Sequence, residues 1–237
     1  MNELKERPRT YPASPTRRKN GTRTAVRRRR KKTPPLWRRA LPVLILCIVI
    51  GAVGVSRWAA PDTAGLPPAV KKLVKANMPS YVQKDVIEVD GTSRRGEKLE
   101  GFTDVVIHYV GNPGTTARQN RDFYANPDSD VSSHFLVGLE GEVIQCIPLD
   151  EKSSATSWRN GDTISIEVCH PDETGRFDEA SYASLVKLTA WLLDAGGLTR
   201  DHVIRHYDVT GKECPRYYVA NPDAWARFQA DVAAYQF

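Results

Sequence analysis

The sequence predicts an α/β domain, a central mixed β-sheet flanked by helices, preceded by one transmembrane helix. Two observations carry the domain: beyond about residue 101, short apolar runs separated by Gly, Pro, Asn and Asp alternate with stretches of helical periodicity, and no internal repeat interrupts them. A third carries the membrane segment, an uncharged apolar stretch directly following a strongly basic one.

The charge is unevenly distributed along the 237 residues, whose formal net is +6. Residues 1–39 hold 15 Lys or Arg against 2 Glu, a net of +13, which leaves 19 basic and 26 acidic residues and a net of −7 for the rest. The basic character therefore belongs to a tail, and the remainder is mildly acidic. Residues 1–36, rich in Arg, Pro, Thr and Ser, bury too little apolar surface to fold and read as a disordered cytoplasmic tail. A basic run such as residues 27–32 suits nucleic acid or anionic lipid. The apolar stretch behind it favours the membrane, and no nucleic-acid partner is expected.

Residues 37–59 read as the transmembrane helix. Residues 40–56 contain no charged side chain and are mostly Leu, Ile and Val, at the short limit for crossing about 30 Å of hydrocarbon at about 1.5 Å per residue. Trp37 and Trp58 flank the stretch, and Arg38 and Arg39 mark its cytoplasmic side. The rest of the chain is expected outside the cell. Cleavage near Ala59 or Ala60, as after a signal peptide, is the competing reading. Residues 60–80 read as a Pro-rich linker with a short helix over 69–76, and residues 81–237 as the folded domain.

Within the domain, residues 105–110, 134–139, 143–147, 164–169 and 202–207 predict strands, with Glu140-Gly141 as a tight hairpin turn. Residues 115–124, 178–195 and 222–235 predict helices. Of these, 178–195 has Leu185, Leu188, Leu192 and Leu193 at helical spacing and Gly196-Gly197 as a stop, while Pro222 opens the last one. Cys47 falls in the membrane segment. Cys146, Cys169 and Cys214 are too few for a disulfide framework; Cys146 and Cys169 either pair or stand as two buried thiols.

Side chains two apart on a strand share a face, so His108 lies with Val106 and His206 with Ile204, each at the end of an apolar run. Cys214 follows His206 after the polar segment DVTGKE, expected as a loop that folds back. Two imidazoles and a thiolate suit Zn²⁺, and three protein ligands leave a fourth position open, the pattern of a catalytic site. Taken alone, a histidine at a strand end is more often a hydrogen-bonded structural residue.

The segments VVIHYVGNPGTTARQNRDFY, VSSHFLVGLEGEVIQCIP, ISIEVCHP and VIRHYDVTGKECP, in this order, resemble type 2 N-acetylmuramoyl-L-alanine amidases, the family that includes peptidoglycan-recognition proteins. The resemblance implies a zinc amidase that cuts the amide between N-acetylmuramic acid and L-alanine of peptidoglycan. It implies His108, His206 and Cys214 as metal ligands, Glu167 as the acid/base residue and Lys212 as the cation facing the substrate carbonyl. His134, Tyr109 and Asn112 are implied as substrate-binding.

The chemistry is coherent with that assignment. Zinc lowers the pKa of water from about 15.7 to near 7, a carboxylate such as Glu167 accepts the proton, and a cation steadies the oxyanion. His170 and His202 read as structural or surface residues, and Asp208 either supports a ligand imidazole or caps a turn. One segment departs from the family pattern: SSATSWRNGD stands where many members have a His-Ala-Gly type sequence, which places Ser157 and Trp158 among expected substrate contacts. The alternative function is a non-catalytic peptidoglycan sensor of the same fold; retention of Cys214 argues against it.

Overall fold

A computed structural model describes residues 63–237 except Asp90 and Pro127, so the expected basic tail and transmembrane helix lie outside the described residues. Among the described residues, no helix is long and apolar enough to cross a membrane.

The elements run α1 (Pro68–Lys75), β1 (Val82–Lys84), β2 (Asp104–Tyr109), α2 (Ala117–Tyr124), β3 (Phe135–Val137), β4 (Val143–Gln145), β5 (Thr163–Val168), α3 (Glu179–Gly196), β6 (Val203–Arg205), α4 (His206–Thr210), α5 (Arg216–Ala220) and α6 (Pro222–Ala234). The strands form one sheet in the order β1-β4-β3-β5-β2-β6. Only β3 and β4 pair antiparallel; every other neighbouring pair is parallel, so the sheet is mixed. The hairpin between β3 and β4 turns at Gly141, whose φ of 79° only glycine adopts at little cost.

The two faces of the sheet do different work. On one, Val105, Ile107, Ile164, Ile166 and Val168 are fully buried and meet Leu185, Leu188 and Leu192 of α3, with Trp225 and Phe228 of α6 in the same core. Parallel strands covered by helices need this near-continuous apolar composition. α3 begins where the Asp178 carboxylate accepts a hydrogen bond from the Ser181 N–H at 2.8 Å, and ends at Gly197 in the left-handed conformation. The other face carries His108 and Glu167 together with a smaller apolar cluster around Leu136, Ile144, Cys146 and Cys169. Cys146 and Cys169 are free buried thiols, the second of the two readings.

Three sequence expectations change. The short helix expected over 69–76 forms as α1, but it is no part of a free linker: its Val70 and Leu73 are fully buried and complete the main core, because the helix is amphipathic and lies against α3. β1 was not expected; its short, half-polar VQK becomes a strand through pairing with β4. The strand expected over 202–207 stops at Arg205, because the Asp208 carboxylate takes the Arg205 N–H at 2.8 Å and starts α4 there.

Candidate active site

In the parallel register of β2 and β5, His108 sits directly beside Glu167, on the face away from the helical core. His206 is the first residue of α4, one step past β6, which pairs with β2 on its other side. α4 ends at Gly211, whose φ of 77° reverses the chain. The expected loop between His206 and Cys214 is thus mostly a helical turn, closed by the Tyr207 N–H donating to the Cys214 carbonyl at 2.9 Å.

These connections bring three donors together. The His108 and His206 rings lie 4.7 Å apart between centroids, and Cys214 Sγ is 3.8 Å from His108 Nδ1. One ligand atom from each of the three residues lies within 4.8 Å of the others. His206 Nδ1 is buried without a hydrogen-bond partner, an uncompensated polar atom of the kind a cation would satisfy. The Nε2 of His108 lies 3.3 Å from the hydroxyl of fully buried Thr156. That contact orients the ring with Nδ1 toward the sulfur.

Burial, followed by the proximity of His206 and of the Lys212 ammonium, holds His108 well below the usual imidazole range. His206 is lowered for the same two kinds of reason, burial and Lys212. Both rings are therefore neutral, the form that donates a lone pair to a metal. Burial, with the Glu167 carboxylate nearby, pushes the Cys214 thiol up to about 12. A buried thiolate beside a carboxylate needs a cation to exist at neutral pH.

Glu167 Oε1 is 3.9 Å from His108 Nδ1, and its Oε2 is buried without a partner. Burial raises its carboxyl from 4.5 to about 8, against the opposing pull of Lys212. Glu167 therefore stands on an interior strand, not at an edge in solvent. It also lines a groove of about 750 Å³ with Lys212, Cys214, Tyr109 and Asn112, whose far wall comes from Asn120, Phe123 and Tyr124 of α2. The sequence reading did not single out these α2 residues or Thr156. The amphipathic pattern of residues 117–124 was legible, but which face would border the groove was not.

His134, expected to bind substrate, is enclosed within the fold. Its ring is fully buried under the site, with Nε2 2.9 Å from the Glu151 carbonyl and Nδ1 accepting the Ser165 N–H at 3.1 Å. With both nitrogens engaged, it ties β3 to β5 and has no atom left for a substrate. Asp208 is a cap rather than a partner of His206, since its carboxylate holds the Arg205 N–H and guanidinium. His202 is half exposed beside Asp104, and His170 is buried against the Tyr109 ring at 5.1 Å.

Residues 101–217 match the family described as N-acetylmuramoyl-L-alanine amidase. Among curated proteins, the chain is 30% identical over 176 residues to N-acetylmuramoyl-L-alanine amidase BlyA of Bacillus subtilis (strain 168), covering 65% of this chain and 47% of that protein. It is 28% identical to the amidase CwlL of Bacillus licheniformis over 64% of this chain and 46% of that one. The chain thus spans about half the length of the curated relatives it matches. Among solved structures, a mutant endolysin from Bacillus subtilis is 27% identical with a TM-score of 0.56, covering 64% of this chain and 97% of that one. The catalytic domain of XlyA is 26% identical at a TM-score of 0.55, with 64% and 98% covered. The domain belongs to the type 2 N-acetylmuramoyl-L-alanine amidase family.

Proposed function

We propose that this domain hydrolyses the amide between N-acetylmuramic acid and L-alanine of peptidoglycan, using one Zn²⁺ held by His108, His206 and Cys214. The observation that carries the reading is the convergence of these three donors beside Glu167, 3.9 Å from His108, in a groove that Glu167 lines with Lys212. A sulfur and a ring nitrogen that held one zinc ion together would lie roughly 3.5 Å apart. The 3.8 Å between Cys214 Sγ and His108 Nδ1 suits that spacing. When bound, the ion polarises the amide carbonyl and makes water acidic enough to attack near neutral pH.

The chain's own groups supply the rest. Glu167 takes the proton of the attacking water on a carboxylate oxygen and returns it to the leaving nitrogen of L-alanine as the C–N bond breaks and the C–O bond forms. Lys212, on the groove wall, balances the negative charge that develops on the carbonyl oxygen. Thr156 keeps the His108 ring in its ligating orientation. Tyr109 and Asn112 border the substrate.

In the same reading residues 37–59 cross the membrane once, with the N-terminal tail in the cytoplasm and the domain, a monomer, outside facing the wall. The charge-free stretch at 40–56 behind a tail of net +13 supports this orientation. Chelator treatment should abolish hydrolysis of purified peptidoglycan and added zinc should restore it, with mass analysis finding lactyl-bearing glycan and intact stem peptides. Full activity in excess chelator, or fragments cut within the glycan, would overturn the proposal.

A further inference from the structure

The loop between β4 and β5 holds a feature the catalytic cluster does not use. Trp158 is 73% exposed. A single exposed apolar side chain is ordinary. Trp158 differs because the loop is built to hold it there.

Ser157, just before it, has a φ of 56°, a left-handed conformation that costs free energy in a residue with a Cβ. Asn160 Oδ1 accepts the backbone N–H groups of Ala155 and Thr156 at 3.1 and 2.7 Å, closing the loop on itself. Arg159 is anchored to Asp162 and Asp104 at 2.8 and 2.6 Å, and its guanidinium carbon lies 5.6 Å from the Trp158 ring centroid. Two residues upstream of Trp158, Thr156 touches the His108 ring. The indole is therefore positioned by the same short loop that contacts a member of the metal-binding cluster.

Beside Trp158 lies a second groove of about 470 Å³, lined by Ser154 and Asn160 and by a set of charged side chains. These are Glu97, Glu100 and Asp130 against Arg95 and Lys152, and Lys152 is occupied by Glu100 at 2.6 Å and Glu97 at 3.5 Å. The groove thus has an acidic excess, unfavourable for the carboxylates of a stem peptide. The groove at Glu167 offers Lys212 instead.

We propose that the Trp158 groove binds the glycan strand, as a subsite for a neutral N-acetylated pyranose ring next to the sugar whose amide is cut. The inference rests on the amidase reading for its direction along the substrate. A pyranose presents C–H groups on one face, which lie against the indole, and hydroxyl and acetamido groups at its edge, which meet Ser154 and Asn160. Arg159 fixes the ring from behind. The strain at Ser157 is the cost of turning the indole outward.

The test uses the full chain with peptide-free glycan strands as the binding probe, so it does not depend on amide cleavage. Strands should bind, measured by calorimetry, with Trp158→Ala weakening binding about tenfold and Trp158→Phe retaining most of it. On intact peptidoglycan, Trp158→Ala should raise KM about as much with kcat little changed, while a muramoyl peptide bearing a single sugar should be turned over as before. Unchanged strand binding by Trp158→Ala, or displacement of strands by free stem peptide, would overturn the subsite. Strand binding without any release of peptide would instead overturn the amidase reading and leave the subsite standing.

Discussion

At the residue scale, the site depends on neutral imidazoles and on a carboxylate kept out of bulk water. Glu167→Gln keeps the shape and removes the base. Turnover should fall by about 10²-fold or more while bound zinc stays stoichiometric, read by steady-state kinetics alongside metal analysis. A loss of metal with the activity would mean that Glu167 acts on the ligand set and not on the proton. Cys214→Ser acts on the donor itself. Zinc content and wall clearing should then fall together, and undiminished clearing by that variant would remove the sulfur from the mechanism.

His134 sets a pH limit that has nothing to do with substrate. Burial pushes its pKa from 6.5 down to about 4, and its Nδ1 must stay unprotonated to accept the Ser165 N–H. Because the folded value is depressed, the neutral ring contributes stability above pH 6.5, and that contribution is lost as pH falls from 6.5 toward 4. The loss amounts to at most roughly 3 kcal/mol. Denaturant unfolding of the protein and of His134→Gln across this range should show a shallower pH dependence in the variant. Parallel curves would contradict the assignment.

At the scale of elements, β2, β5 and β6 do the positioning, and α3 packs its leucines into the core on the opposite face of the sheet. Their parallel register sets His108 against Glu167 without any side-chain interaction being needed to align them. α3 owes its start to Asp178, so Asp178→Ala should cost about 1 kcal/mol, visible as a lower midpoint of thermal unfolding with zinc binding intact. The strand at 202–207 was read two residues too long at its C-terminal end because its pattern runs on through His206 and Tyr207. The competing signal, an Asp three residues beyond the Arg205 N–H, was in the text, but its carboxylate could have served the ligand ring equally well.

At the scale of the whole molecule, the folded unit begins before the family match does. Val70 and Leu73 of α1 fill the main core, so Leu73→Ala should cost about 2–5 kcal/mol of stability. Deleting residues 1–60, by contrast, should leave hydrolysis of purified peptidoglycan nearly intact, because the proposed chemistry lies wholly in the domain. If that deletion abolished activity in a folded protein, the basic tail would itself take part in hydrolysis. In membranes, protease accessibility from each side would test the proposed orientation.

What the sequence determined by itself was the five strands around the site and the longer helices, the apolar face of each, and the residue types that chemistry could use; β1 and the two short helices after β6 were not legible. Period-two alternation already placed His108 away from Val105 and Ile107, because that geometry is local to the strand. The meeting of His108 with His206 and Cys214 was decided by tertiary structure, through sheet order and the Gly211 turn, since no local rule ranks one distant pairing over another. His134 shows the same division from the other side. The family resemblance alone pointed it to the substrate, and only packing shows that both ring nitrogens are engaged within the fold.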